Sequence, residues 1–524
     1  MKFFNTAGPV NCTKHYCLPP LERFDLEELL HLIDNEKYFI LHAPRQTGKT
    51  SGLLALMEYL NSGEKYTCLY CNVEMAQVAR GDVDSGIKSI VGAIASAARR
   101  HLNDNFLYEN WDTLVERWGG KNALHEALSL WTEQLERPLV LLIDEIDALV
   151  GDTLISVLRQ LRSGYNSRPS HFPQSVVLCG VRDIRDYRIH SAQEQEIITG
   201  GSAFNIKAVS LRLGDFSREE TERLYQLHTT ATGQVFTDNV SDTVWELTEG
   251  QPWLVNALAY EVCFNIKENR DRSVDITPEM IRRAGDNLIL RRETHLDQLA
   301  DKLREERIRR VVAPILYGAE KPKNIPPDDI MYAEDLGLIK TKGKLRIANR
   351  LYQEVIPREL TFSTQLTISQ ESSWYVNAAG MLDMEKLMTA FQEFFREHSE
   401  HWVERFQYKE AGPQLLLQAF LQRIINSGGR VEREYGLGRK RTDLLLIWFY
   451  EGGVQKTVIE LKILHKSLEA TLREGLEQTW SYMDRCGTAD GHLVIFDRSD
   501  QAWAEKIFTK KELFNDTEIT VWGM

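Results

Sequence analysis

The chain has 524 residues, 43% of them hydrophobic and 27% charged, with a formal net charge of −13. Its length suits about three or four domains, and its composition excludes a disordered chain and a uniformly basic nucleic-acid binder. Apolar runs such as LVLLI at 139–143 are too short to span a bilayer. The opening MKFFNTAGPVNC lacks the apolar core of a signal peptide, so the expectation is a cytoplasmic protein with no membrane contact. Seven cysteines, an odd number, fit a reducing compartment.

KYFILHA (37–43) reads as a buried strand, and GKTSGLLALMEYLNSG (48–63) reads as a helix with Leu53, Leu54, Met57 and Leu60 on one face. Between them lies HAPRQTGKTS, a phosphate-binding loop in the context the motif requires. Pro44, Arg45, Gln46, Thr47, Gly48, Lys49, Thr50 and Ser51 are its candidate nucleotide contacts. Backbone N–H groups and the helix N-terminus suit phosphate. Lys49 would reach the outer phosphates of ATP and Thr50 would ligate Mg2+. Ala43 stands where the motif has its first glycine. A missing Cβ matters most at Gly48, so Ala43 is a tolerable departure.

Next, KYTCLYCNVE reads as a strand. Cys68 and Cys71, three apart, then face opposite sides and make neither a metal nor a redox pair. RPLVLLIDEIDAL (137–149) is an apolar strand ending in Asp144 and Glu145. Asp144 would hold Mg2+ and Glu145 would polarise the water that attacks the γ-phosphate. A further buried strand, SVVLCGVRD (175–183), ends at Arg182, a candidate γ-phosphate sensor or a partner in a surface ion pair.

These segments, with YCLPPLERFDLEELLHLIDNEKYFI before the loop and SAFNIKAVSLRLGDFSREE after the strands, resemble the AAA-like ATPases of prokaryotes near the STAND and archaeal groups. The resemblance covers about residues 10–290. It implies that the segment before the loop packs against adenine, with Tyr16 and Arg23 at the matching positions. TEGQPWLVNALA (248–259) resembles the element that starts the family's helical lid, which puts Gly250 and Pro252 near the nucleotide.

Residues 291–360 read as helices followed by a hairpin, GLIKTKGKLRIAN, turning at Lys342-Gly343. That order is winged-helix-like. Residues 301–350 carry 12 Lys and Arg against 8 Asp and Glu, which suits a nucleic-acid face or a solvated helix surface. Lys340, Lys342, Lys344 and Arg346 would contact DNA, or the unit would be a spacer that relays nucleotide state. Residues 361–399 read as a linker.

In the last part, TDLLLIWFY and KTVIELKIL read as strands joined by the turn EGG at 451–453. On the second strand Val458, Glu460 and Lys462 share one face, with Ile459, Leu461 and Ile463 on the other. Asp443 opens the partner strand. Two carboxylates brought together call for a hard cation, Mg2+ or Mn2+. Lys462 beside it would orient or deprotonate a water. This pattern resembles the PD-(D/E)XK nuclease superfamily. Thr442 replaces the Pro of many members. The resemblance implies a first helix with Glu410 at its start, for whose role Glu434 competes. It also implies a later helix whose Gln478 and Tyr482 lie on one face near the substrate. Arg439, Lys440 and Arg441 suit phosphate contacts or solvated turn charges.

The expected fold is α/β: a P-loop NTPase core (1–215) with a parallel sheet, a helical lid (216–290), a winged-helix-like unit (291–360), a linker (361–399) and a restriction-endonuclease-like domain (400–524). The expected function is an ATPase that regulates a metal-dependent nuclease acting on nucleic acid, DNA first. The fusion resembles proteins suspected of defence against mobile elements. The alternatives are an ATP-dependent switch with a silent nuclease fold that binds nucleic acid or protein, and a scaffold that forms a homo-oligomer on ATP.

Overall fold

The computed structural model describes every residue except 1, 184–187, 191–196, 200–203, 292–293, 317–324, 357–374, 406–416, 419, 422–428, 434–443, 465–466, 498 and 500. The chain divides into two compact units, residues 1–295 with 326–341, and residues 296–325 with 342–524.

The first unit is built on strands β1 (Tyr38–His42), β2 (Thr67–Asn72), β3 (Leu139–Asp144), β4 (Ser175–Gly180) and, after a short ribbon of β5 (Arg188–His190) and β6 (Ile197–Thr199), β7 (Lys207–Arg212). The sheet order is β2-β3-β4-β1-β7, all parallel. β1, β3 and β4 are buried along their whole length, which is why they read as unbroken apolar runs. Helices cover both faces. α1 (Leu26–Asp34) and α2 (Lys49–Ser62) pack on one side with Phe39, Leu41, Val140 and Val177. α3 (Val83–Leu102), α4 (Phe106–Thr132) and α5 (Gly151–Ser163) pack on the other with Ile40, Leu141 and Leu178.

Cys68 and Cys71 are buried in these two opposite cores, as the strand reading required. Cys12 and Cys17 are joined by a disulfide, a pairing that the scattered cysteine count did not suggest; the other five cysteines are buried thiols.

Four helices follow the sheet: α6 (Arg218–Thr232), α7 (Val240–Thr248), α8 (Pro252–Tyr260) and α9 (Pro278–Arg291). α6 starts with a reciprocal cap between Ser217 and Glu220. The region read as one winged-helix-like unit is divided between the two compact units. Helix Pro327–Asp335 and the short strand β8 (Ile339–Lys340) belong with the first, because their side chains are held there. Arg212 Nη2 donates to Glu334 O at 2.9 Å, and Lys340 Nζ lies 3.1 Å from Glu249 and 3.6 Å from Asp215. Lys340, read as a DNA contact or as part of a spacer, is thus paired with carboxylates of the first unit. The short strand β9 (Arg346–Ile347) belongs to the second unit, and Gly343 has φ +83°.

The second unit holds a six-stranded sheet in the order β10-β11-β12-β13-β15-β14. Its strands are β10 (Gly429–Arg433), β11 (Leu444–Tyr450), β12 (Gly453–Ile463), β13 (Gly491–Phe496), β14 (Phe508–Phe514) and β15 (Thr517–Gly523). β10, β11 and β12 are antiparallel, β12, β13 and β15 parallel, and β14 antiparallel to β15. The expected hairpin is β11-β12, with Tyr450 paired to Gly453.

One face packs on helix Met384–Arg405 through Leu387, Met388, Phe391 and Phe395. The linker reading of 361–399 fails from 384 onward for this reason: that stretch supplies one wall of the core. The other face packs on helix Leu468–Cys486 through Leu476, Tyr482 and Met483. The result is three layers, helix, sheet and helix. Among the described residues no helix is long and apolar enough to cross a membrane.

Candidate functional site

The phosphate loop runs from the end of β1 into α2, at the C-terminal edge of the parallel sheet. β1 lies between β4 and β7, and its onward connection runs through α2 to β2 at the far edge of the sheet, so the loop sits at the C-terminal ends of the inner strands. Ala43 is fully buried and its N–H donates to Gly180 O at 3.2 Å, continuing the ladder to β4. Gly48 caps α2 with φ +98°, a conformation that favours glycine. Lys49 is buried, its Nζ donating to Ala43 O at 2.9 Å and Pro44 O at 3.0 Å. Thr47 Oγ1 donates to Pro44 O at 2.8 Å. Ser51 faces the N-terminal segment, accepting from Val10 N at 2.9 Å. Arg45 and Gln46 are exposed at the tip.

Thr50 and Asp144, 94 residues apart, meet here: Thr50 Oγ1 donates to Asp144 Oδ2 at 2.7 Å. Asp144 is fully buried and also accepts from Tyr70 OH at 3.1 Å. A hydroxyl and a carboxylate in contact form the oxygen donor set that Mg2+ takes, so these residues fit the ion. Among the described residues no group of three or more His, Cys, Asp and Glu side chains converges as a metal site.

Glu145 follows in the left-handed region at φ 59°. Burial, then the neighbouring Asp144 charge, pushes its carboxyl above the ordinary glutamate value. Asp147, which the sequence reading passed over, is held above its ordinary value by burial and accepts a hydrogen bond from Val181 N. Tyr70 was also missed, since a tyrosine inside a strand gives no signal of a polar partner.

Arg23 and Tyr16 both line a cavity of about 130 Å³ beside the loop, together with Pro252. Their side chains are engaged by protein. Arg23 donates to Thr47 O and, at 2.6 Å, to Gly214 O, with its guanidinium 4.6 Å from the Phe216 ring centroid. Tyr16 OH lies 3.1 Å from His228 Nδ1. Arg23 is thus a clamp on the loop. Arg182 lies with its guanidinium 5.1 Å from the Tyr332 ring centroid. The adjacent Asp183 forms a buried network with Lys207 (2.8 Å) and Ser210 (2.6 Å). Gly250 has φ +80°, and a Cβ there would sit 2.1 Å from Phe216 O.

In the second unit, Glu460 is buried on β12. Lys462 Nζ lies 3.1 Å from Glu460 Oε1, is hydrogen-bonded to Gln478 Oε1 and stands 4.0 Å from Glu474. Strand and helix therefore bring together three of the expected residues, Glu460, Lys462 and Gln478. Tyr482, one turn beyond Gln478, is buried in the apolar core with Met483 and Leu493. Glu474 was not anticipated; its spacing of four from Gln478 was the available signal. Asp443, Glu410, Glu434, Arg439, Lys440 and Arg441 lie outside the described residues. The described β11-β12 ladder begins at the pair Leu444 and Ile459.

A family model described as an AAA-like domain matches residues 27–356. No curated protein matches the chain. A Walker-type ATPase of Pyrococcus abyssi is similar at 13% identity, covering 67% of this chain and 99% of that one, with a TM-score of 0.45. Cdc6p from Pyrobaculum aerophilum gives 15% identity, 66% and 93% coverage and a TM-score of 0.35. The Drosophila ORC bound to DNA gives 10% identity, 73% and 80% coverage and a TM-score of 0.34.

Proposed function

This chain belongs to the AAA-like domain family, and from that premise we propose that it binds and hydrolyses ATP to control a metal-dependent nuclease in its second unit. Supporting the first half is the contact of Thr50 with Asp144, with Lys49 and Glu145 at the same strand ends. Lys49 leaves its two loop carbonyls for the outer phosphates. Arg23 fixes the loop through Thr47 O, keeping the N–H groups aimed at phosphate. Glu145, its carboxyl raised by burial, takes the proton of the attacking water. Mg2+, when bound, supplies positive charge at the phosphate oxygens.

The observation that carries the nuclease reading is Lys462, ion-paired to Glu460 on its own strand and hydrogen-bonded to Gln478 on a separate helix. Glu460 and, beside it in the pattern, Asp443 would hold the cation. Lys462 would orient the water whose oxygen bonds to phosphorus as the bond to the sugar oxygen breaks. The substrate class is nucleic acid, DNA first.

The test is incubation of linear and circular DNA with Mg2+ or Mn2+, with and without ATP, using the native chain, Lys462→Ala, Asp443→Ala and Lys49→Ala. Cutting lost in the first two variants and altered by ATP only when Lys49 is present is the expected result. No cutting by the native chain under any condition overturns the nuclease reading. The chain then stands as an ATP-dependent switch.

A further inference from the structure

The cavity beside the phosphate loop is continuous with Thr47, Gly48 and Ser51 and is roofed by residues of the N-terminal segment and of α8. Its walls are largely apolar, with Leu18, Phe216 and Trp253 among them. Such a site holds a flat base by packing and selects it by few polar groups. Asn5 is closed on itself, its Nδ2 donating to Gly8 O and its Oδ1 accepting from Ala7 N. Tyr16 faces His228, and Arg23 is held by Thr47 O and Gly214 O. The Thr6 hydroxyl is donor and acceptor at once, so it discriminates nothing.

Asn256 differs. It stands one turn into α8, and its Nδ2 donates to Pro252 O at 2.8 Å. A carbonyl only accepts, so that contact fixes which end of the amide is the nitrogen. Oδ1 remains as the acceptor of a side chain on the cavity wall. We propose that Asn256 selects the base: its Oδ1 accepts a hydrogen bond from the exocyclic amine of a 6-aminopurine, so the site takes adenine nucleotides and rejects 6-oxopurines. The assignment rests on the ATP-binding reading of the first unit. A 6-oxo group would bring a second acceptor against Oδ1 and leave both unpaired, which disfavours that base through repulsion as well as through the lost bond.

Inosine triphosphate is the probe, because it carries the 6-oxo group without the added 2-amine of guanine. Calorimetric titration of the full chain with ATP and with inosine triphosphate, in Mg2+, measures the ratio of the two affinities. The native chain is expected to prefer ATP by at least about tenfold. Asn256→Ala is expected to bring the ratio close to one by weakening ATP. Asn256→Asp keeps an acceptor at the same place and is expected to retain the preference. Equal affinities in the native chain, or an unchanged ratio in Asn256→Ala, overturn the assignment of Asn256 and leave the ATP site intact. Failure of the native chain to bind either nucleotide overturns the ATP-binding reading and this assignment with it.

Discussion

At the scale of single residues, the first unit is shaped by polar groups held where water cannot serve them. His42, at the end of β1, and His295, stacked on Trp253 at 4.7 Å, are both buried. Burial lowers their pKa values from 6.5, to about 4 for His42 and to about 3 for His295. Arg212, Lys207 and Lys49 lower that of His42 further, while Asp183 opposes them. In the unfolded chain both imidazoles take up a proton near the ordinary value; in the folded unit they stay neutral. The unfolded state therefore binds more protons below pH 6.5, and stability falls as pH drops from about 6.5 toward the folded values. The loss at pH 5.5 is on the order of 1 kcal/mol per histidine. His295→Phe keeps a ring against Trp253 without the titration, so its urea midpoint is expected to fall less between pH 7.5 and 5.5 than that of the native chain. Equal slopes would remove His295 as a cause.

At the scale of elements, the lid helix α8 is aimed by the turn before it. Gly250 adopts φ +80°, its carbonyl accepts from Phe216 N at 2.8 Å and its N–H donates to Thr248 Oγ1 at 3.2 Å. A methyl at Gly250 meets Phe216 O at 2.1 Å, and the backbone conformation disfavours any side chain. The strain is about 1–3 kcal/mol. Gly250→Ala is therefore expected to lower the thermal midpoint of the first unit and to weaken ATP binding about tenfold, because Pro252, Trp253 and Asn256 move with the turn. Calorimetric unfolding and nucleotide titration of one preparation measure both. A lowered midpoint with unchanged ATP affinity would show that the lid helix is not aimed by this turn. On β12 the same kind of local rule runs in the open: alternation sends Ile459 and Leu461 into one core and Val458 into the other, with Glu460 and Lys462 on the face of Val458.

At the scale of the molecule, each unit has its own sheet and its own apolar cores. Phe391, fully buried against the second sheet, is far in sequence from every residue of the ATP site. Phe391→Ala is expected to destabilise the second unit by about 3–5 kcal/mol through the cavity it leaves. Under the proposed function, DNA cleavage is then lost while ATP turnover by the first unit persists, since substitutions at separate sites act additively. Parallel loss of ATP turnover would show that the two cores are not energetically separate.

The sequence by itself determined the features that depend on neighbours along the chain. The buried strands announced themselves as apolar runs, the loop between β1 and α2 by Gly48, Lys49 and Thr50, the opposite facing of Cys68 and Cys71 by the two-residue period, and the β11-β12 hairpin by its EGG turn. Departures came where a side chain's partner lies far away in sequence. Arg23, matched to a family position beside the base, lines the cavity and also donates to Thr47 O and Gly214 O, contacts that no neighbouring residue announces. Lys340 read as a DNA contact or as part of a spacer, and no residue near it in sequence signals that Glu249 and Asp215 hold it. Helix Met384–Arg405 began in a stretch read as a linker, because only the sheet it covers reveals its apolar face. Local backbone preference and hydrophobic period are written in adjacent residues. The choice between a solvated charge and a partnered one is made by distant segments folding together, and that choice belonged to the tertiary structure.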